Sequence, residues 1–508
     1  MNDPSKHLSP STPSLIHNFI SFIGVFLAVS GFAVTATLIT VDVFSRTTNP
    51  YLGIVIYFIS PSILVTGLLL IPFGMWRERR RRRKDPAFRI PRFPHLDLNL
   101  RTHQIGFLIF VFGTVAILIL LSMVSYRGYQ FTDSVTFCGK TCHTVMKPEY
   151  TAYLHSPHAR VACASCHVGP GASWFVRSKL SGTYQIYSVA FKKYSRPIQS
   201  PVKDLRPAQE TCEQCHWPAK FFGAQQKNFA HTLTDEQNSP WQIQMLIKVG
   251  GGDPSVGSAM GIHWHMNIKN EIEYVATDEK RQVIPWVRAT DPEGHVTEYM
   301  STENPLTPEQ MAKTQTRRMD CVDCHNRPSH IFNAPNHALD QAFFTGRLDR
   351  SLPYLKREAI LLLTRPYATE EEAEKAILSG LSQFYQKNYP ELSRQKGVSI
   401  QQVTHELLQI YKANFFPYMR VDWRTHPTHL GHLNSDGCFR CHDGLHKSRD
   451  GKAITKDCNA CHTILGQGTP QDVAQTPPSA QPFRHPVDLG MDVTQEKCSL
   501  CHTGSSGL

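Results

Sequence analysis

The sequence predicts a mainly α chain: three transmembrane helices, then an exported domain with irregular regions and a small β insert. Three observations carry this. Leu15–Val41, Tyr51–Trp76 and Gln104–Tyr126 contain no Asp, Glu, Lys or Arg, and each reaches the ~20 residues a helix needs to cross the hydrocarbon of a bilayer. All 14 cysteines lie beyond residue 127, in seven groups of two cysteines with a histidine immediately after the second. Between the third and fourth groups, residues 217–320 hold runs rich in β-branched and aromatic residues.

Charge sets the expected topology. The net charge is +11, yet residues 1–76 sum to zero and residues 77–103 carry ten Lys/Arg against three Asp/Glu. Arg77–Lys84 is a basic run between two apolar stretches, which marks a cytoplasmic loop more often than a nucleic-acid site. No nucleic-acid partner is expected. Residues 1–14 then form a cytoplasmic tail, residues 15–126 the three helices with basic loop 77–103, and the third helix delivers everything after Arg127 to the far side. Pro61 is expected to kink the second helix. His17 and His103 lie near helix ends and read as interfacial residues, not as ligands within the bilayer.

The seven groups are Cys138/Cys142/His143, Cys163/Cys166/His167, Cys212/Cys215/His216, Cys321/Cys324/His325, Cys438/Cys441/His442, Cys458/Cys461/His462 and Cys498/Cys501/His502. This pattern marks covalently attached c-type haem. Two sulfurs must reach two vinyl groups on one porphyrin edge, and the adjoining imidazole must rise to the iron. Zinc sites would need second ligand pairs, and would not require a histidine after every second cysteine. No cysteine remains for a disulfide or a nucleophile. Seven haems in irregular haem-packed regions are therefore expected, with the motif histidines as proximal ligands. Haem is attached in this way on the oxidising side of a membrane, which agrees with the charge-derived topology. The expected location is a bacterial cytoplasmic (inner) membrane, with the haem domain periplasmic.

The segments V-A-C-A-S-C-H-V-G-P-G-A-S-W at Val161–Trp174 and C-V-D-C-H-N-R-P-S-H at Cys321–His330, following a helix that feeds into the first group, make residues 104–335 resemble the NapC/NirT/NrfH family of membrane-anchored tetrahaem quinol dehydrogenases. The resemblance implies that His330 ligates the iron of a neighbouring haem. This chain departs from the family in three ways. It has three apolar stretches instead of one. It has three residues between Cys138 and Cys142, with Met146 three after His143. It also has the long insert. Met146 is a candidate axial ligand of the first iron, and His158 is the expected distal ligand contributed from before the second group.

In the insert, Ile262–Ile268, Ile272–Ala276 and Val283–Ala289 read as strands, with turns at Gly250–Gly252 and Asp291–Gly294. His263 and His265, two apart, would face one side of a strand, and one of them, His265, is the expected ligand. Residues 127–335 thus form a tetrahaem domain with a β insert near 230–300. In residues 336–425, a helical spacer, Leu355–Leu363, Glu370–Tyr385 and Ile400–Tyr411 show helical periodicity, and Thr369 is an N-cap with Glu372 three later. Residues 426–508 pack three groups into too short a segment for a core of side chains alone. Its available distal ligands include His426, His429, His432, His446 and His485, of which His429, His446 and His485 are expected. Gly468–Pro482 reads as a flexible linker.

Six-coordinate iron moves electrons instead of making bonds. The expected activity is quinol oxidation near the first haem, with electrons passing to periplasmic acceptor cytochromes or a reductase in anaerobic respiration. Quinol oxidation also releases protons, so Asp133, Lys140, Lys147 and Glu149 are candidate quinol-site residues. Expected partners are a membrane quinol, the lipid bilayer and those periplasmic acceptors. The architecture is similar to that of inner-membrane heptahaem cytochromes of metal-reducing bacteria. Alternatives are a terminal reductase of a small oxyanion and a non-catalytic subunit that wires a larger complex.

Overall fold

In a computed structural model, the structure describes residues 15–45, 59–84, 98–109, 112–113, 127, 130–141, 143–169, 171–202, 206–251, 260–266, 270–475, 477–494 and 496–504. The chain divides into two compact units, one holding residues 1–132 with 168–183, the other 133–167 with 184–508.

The first unit is built on α1 (Phe19–Ser45) and α2 (Ser60–Lys84), which pack against each other. Glycine makes this packing close. A Cβ on Gly31 would stand 2.7 Å from the backbone nitrogen of Leu64, and one on Gly24 would stand 2.8 Å from the carbonyl oxygen of Gly67. Ser21 Oγ donates to the Ile71 carbonyl at 3.0 Å. The outer surface keeps Phe19, Phe26, Phe32, Leu69 and Phe73 exposed.

The expectation of three transmembrane helices is corrected here. Among the described residues, no helix is long and apolar enough to cross a membrane. The apolar part of α2, Ser60 to Trp76, extends only about 25 Å at 1.5 Å per residue and continues without a break into Arg77–Lys84. The described side chains of α1 end at Val34. Of the third stretch only residues 104–109 and 112–113 are described, and the rest lies outside the described residues. Pro61 falls in the first turn of α2, where its missing N–H leaves no bond unmade.

The second unit opens with a π-helical turn at Phe137–Thr141, followed by α3 (His143–Leu154), α4 (Cys163–His167), α5 (Ala172–Ala190), which begins in the first unit, and α6 (Ala208–Cys212). Two sheets follow. β1 (Gln225–Thr232) and β2 (Pro240–Ile247) are antiparallel, and β8 (His462–Gly468) joins the free edge of β2 in the order β1-β2-β8. The second sheet has the order β6-β3-β4-β5-β7, from β3 (Glu271–Val275), β4 (Trp286–Thr290), β5 (Val296–Ser301), β6 (Arg317–Arg318) and β7 (His446–Lys447). Each sheet takes an edge strand from the C-terminal region. The insert is thus completed by residues far along the chain. The turn at Asp291–Gly294 joins β4 to β5, with Gly294 N–H donating to the Asp291 carbonyl.

Ile262–Met266 is a 3-10 turn and not the strand that its alternation suggested. It is held by close backbone approach. Gly261 has φ +145°, and a Cβ there would lie 2.5 Å from the Lys248 carbonyl oxygen. Gly251 has φ +139°, and a Cβ there would overlap the His263 peptide.

After α7 (Pro308–Lys313) and α8 (Cys321–Cys324), the apolar core is a helical array: α9 (Pro335–Phe344), α10 (Leu355–Thr364), α11 (Glu370–Asn388), α12 (Pro390–Gln395) and α13 (Gly397–Asn414). Leu339, Leu355, Leu363, Ile377, Leu381, Tyr385 and Leu407 are fully buried in it. Thr369 Oγ1 accepts the Glu372 N–H at 3.2 Å, capping α11. Beneath the array, Lys356 Nζ donates to Asp340 at 2.6 Å and to the Thr232 carbonyl. Beyond Trp423 this core contributes nothing further among the described residues. Gly468–Pro482 is structured rather than a free linker. It holds α14 (Pro470–Gln475), and Gln481 N–H donates to the Ile464 carbonyl of β8.

Candidate haem centres

Each fully described attachment motif sits on a single tight turn. Six are described: α4, α6 and α8 carry the second, third and fourth, and 3-10 turns at Gly437–Arg440, Cys458–Ala460 and Cys498–Leu500 carry the fifth to seventh. Recurrent hydrogen bonds fix the motif histidine over the first cysteine, as in His216 N–H to Cys212 O, His325 to Cys321, His442 to Cys438 and His502 to Cys498. In the first motif Cys142 and the side chain of His143 lie outside the described residues. None of the described cysteines is in a disulfide.

The motif cysteines are not equally enclosed, as a set of haem-packed turns would suggest. Most are half-buried, but Cys215, Cys458 and Cys501 are exposed. Cys501 is one of these three. It ends the seventh turn, where its N–H donates to the Cys498 carbonyl at 3.2 Å, and its neighbour Leu500 is also open to solvent.

The motifs follow one another in space in the order of the sequence. Cys138 lies beside Cys163, and Cys212 beside Cys321. Cys166 lies near Cys215, Cys324 near Cys438, Cys438 near Cys461, and Cys458 near Cys498. Backbone packing agrees, with α4 against α6 and α6 against α8. Lys248 N–H donates to the Cys461 carbonyl at 2.9 Å. Lys497 and Ser499, from the seventh motif, bind Asp436 beside the fifth at 2.9 and 2.6 Å.

Six motif histidines each face a second imidazole. Ring centroids are 6.1 Å apart for His216 and His158, 6.2 Å for His167 and His330, 6.4 Å for His325 and His263, and 5.8 Å for His442 and His265. They are 6.1 Å apart for His462 and His432 and 6.0 Å for His502 and His485. Two metal–imidazole bonds of about 2.0–2.1 Å, plus ~1.1 Å from nitrogen to ring centre on each side, give about 6.2 Å across a six-coordinate metal. The residues therefore fit haem iron held by paired histidines. The second nitrogens are also set for this. Nδ1 of His158, His263, His265 and His330 donates to the carbonyls of Pro328, Val249, Ile262 and Glu149 at 2.7–3.3 Å. That fixes the tautomer and turns Nε2 outward, the usual outer-shell device of a metal-binding histidine. Burial pushes His167, His265, His325, His330, His432 and His462 below the ordinary imidazole range, so they stay neutral, the ligating form. A cavity of about 450 Å³ opens beside His265, lined also by Glu213, Trp217, Met266 and Met319.

The other candidates are placed differently. His429 Nδ1 faces the Asp323 carbonyl at 2.8 Å, and its Nε2 faces the Lys280 carbonyl at 3.1 Å and the Gln282 amide at 3.0 Å. His446 Nε2 faces the Ile284 carbonyl at 2.6 Å and its Nδ1 faces Asp443 at 2.9 Å. Both are engaged on each nitrogen by protein, so neither has one left to offer. His263 and His432 stand in the positions expected of His265 alone and of His429 or His446. No local signal distinguishes them, because their partners are remote in sequence. Met146 is half-buried on α3. Asp133 precedes the π-helical turn and Lys140 lies exposed within it. Lys147 instead pairs with Glu370 on α11 at 2.5 Å. Glu149 accepts from Arg327 at 2.7 Å, and its carbonyl orients His330.

The fourth and fifth motifs are joined by a polar network that the spacing did not announce. Asp323, between the cysteines of the fourth motif, is buried and accepts from Tyr274 Oη at 2.7 Å, Arg281 at 2.6 Å and Arg317 at 2.8 Å. Arg440, between the cysteines of the fifth, is buried and donates to the carbonyls of Gly437, Arg281 and Asp323 at 2.7–2.9 Å.

The N-terminal region of the NapC/NirT cytochrome c family matches residues 100–238. The cytochrome c-type protein ImcH of Geobacter sulfurreducens is 44% identical over 498 residues, 97% of each chain. No solved structure matches the chain. With haem-attachment motifs throughout its second unit and a relative matched along nearly its whole length, the chain belongs to the NapC/NirT family of multihaem c-type cytochromes, proteins of electron transfer.

Proposed function

We propose that the protein is a heptahaem cytochrome that oxidises a membrane quinol and passes the electrons to periplasmic acceptors. It would work at the bacterial cytoplasmic membrane with its haem domain on the periplasmic side. The observation that carries this reading is the unbroken neighbour order of the attachment motifs, combined with the six paired imidazoles. Bound haem iron would supply one-electron transfer, and two imidazoles at each of the six paired centres would leave no position there for a substrate. The chain's own residues hold the neutral imidazoles in place through backbone carbonyls, so little reorganisation is needed when charge changes. Asp133, near the turn of the first motif, is the candidate acceptor for protons released from quinol, and Lys140 is the candidate cation that would steady the charge left on the quinol oxygen. Lys147 and Glu149 support this turn from behind by anchoring α3 to α11 and to Arg327. The exposed phenylalanines of α1 offer an apolar surface suited to lipid.

Anaerobic mixing of the detergent-purified protein with a menaquinol analogue, followed at the haem α-band, tests the reading. Full reduction without any other subunit is expected, alongside seven haems per chain by pyridine haemochrome assay. Reduction by dithionite but never by quinol would overturn it.

A further inference from the structure

We infer that His263 and His265 ligate two different haem irons, those of the fourth and fifth motifs, so that one turn of the insert bridges the two groups of haems. This rests on the heptahaem reading above and deepens it. The two rings part because the segment is a 3-10 turn. At three residues per turn, positions two apart point about 120° from each other, whereas on a strand they would share a face. His263 stacks parallel to His325 with an interplanar angle of 5°, while His265 stands edge-on to His442 at 88°. Each Nδ1 is held by its own carbonyl, Val249 for His263 and Ile262 for His265. Each therefore keeps one nitrogen for a separate partner.

The surrounding structure is built to keep this turn in register with both motifs. The insert's first sheet includes β8, which begins at His462, and its second includes β7, which lies just past His442. Arg440 of the fifth motif donates to the Asp323 carbonyl of the fourth. Electrons collected by the first four centres therefore have a fixed crossing to the last three. The long insert between the third and fourth motifs exists to build that crossing.

The experiment uses full-length holoprotein carrying His263→Gly, His265→Gly or both, with His429→Gln as a control. Haem content is counted first, and low-spin bis-imidazole signals are counted by near-infrared magnetic circular dichroism, with and without added imidazole. Each single variant should lose one low-spin centre and the double variant two, and added imidazole should restore them. His429→Gln should lose none. A spectrum unchanged in either single variant would overturn the bridge. So would a double variant that loses only one centre. If a variant incorporates too little haem to count, His263→Met and His265→Met decide the matter, each being expected to move one midpoint potential upward. None of these readouts involves quinol, so a protein that fails to oxidise quinol would still show whether the bridge exists.

Discussion

The guanidinium of Arg440 donates to the backbone carbonyl of Asp323 at 2.9 Å. Each residue lies between the two cysteines of its own motif, so this bond ties the fourth attachment turn directly to the fifth. Arg440 also satisfies the Gly437 and Arg281 carbonyls.

Replacing Arg440 by Met should therefore take a donor from the Gly437 and Arg281 carbonyls in a buried setting, while the Asp323 carbonyl keeps His429 Nδ1. The expected cost is about 2–4 kcal/mol, seen as a lower midpoint in chemical denaturation. The fifth centre should also show a perturbed spectrum while the second and third do not.

Gly251 meets the His263 peptide so closely that no Cβ fits. Gly251→Ala should displace the Ile262–Met266 turn and weaken both imidazole contacts it carries, with a stability loss of about 2–4 kcal/mol from strain. Gly294→Ala is the comparison. It also has positive φ, +88°, but meets nothing within 4 Å, so it should cost only about 1 kcal/mol and leave the spectrum untouched.

How far was this legible from sequence? The attachment motifs could be read directly, because two sulfurs and an imidazole must be adjacent in the chain to serve one porphyrin edge. The helical array was visible, since Ile377, Leu381 and Tyr385 repeat with helical spacing and are buried as that spacing implies. The pairing of distal histidines was not visible. His265 meets His442 through tertiary structure, and nothing local separates it from His446, whose nitrogens are spent on Ile284 and Asp443. The alternation in I-H-W-H-M-N-I suggested a strand, but close backbone approach at Gly251 and Gly261 selects a 3-10 turn instead. Charge-free stretches alone suggested three membrane crossings, yet among the described residues no helix is long and apolar enough to make one.

Asp340 and Lys356 are both buried, and their pair is closed by the Thr232 backbone, whose N–H reaches Asp340 at 2.9 Å. Asp340→Ala would leave the Lys356 ammonium buried without its anion. A loss of about 3–5 kcal/mol follows, whereas replacing both by apolar residues should recover much of it. Denaturant titration of the three variants checks this.

Stability should also respond to acid through Asp349. Partial burial pushes its carboxyl pKa up, but hydrogen bonds from Ser351, Ser399 and Lys396 outweigh this and hold it at about 2, below the ordinary 3.8. A depressed carboxylate stabilises the folded state in full above its unfolded value and loses that contribution as pH falls through its folded one. Wild-type protein should therefore lose more stability than Asp349→Asn between roughly pH 4 and 2. Denaturation midpoints across that range, compared between the two, measure the difference. Parallel curves would show that Asp349 contributes nothing.

Everything above depends on the motif histidines facing partner imidazoles across iron. Near-infrared magnetic circular dichroism of the fully oxidised wild-type protein reads that ligation without passing through any variant. Bis-imidazole low-spin iron is expected at six centres, the six imidazole pairs of the structure. High-spin iron, or histidine–methionine ligation, at two or more centres would contradict it.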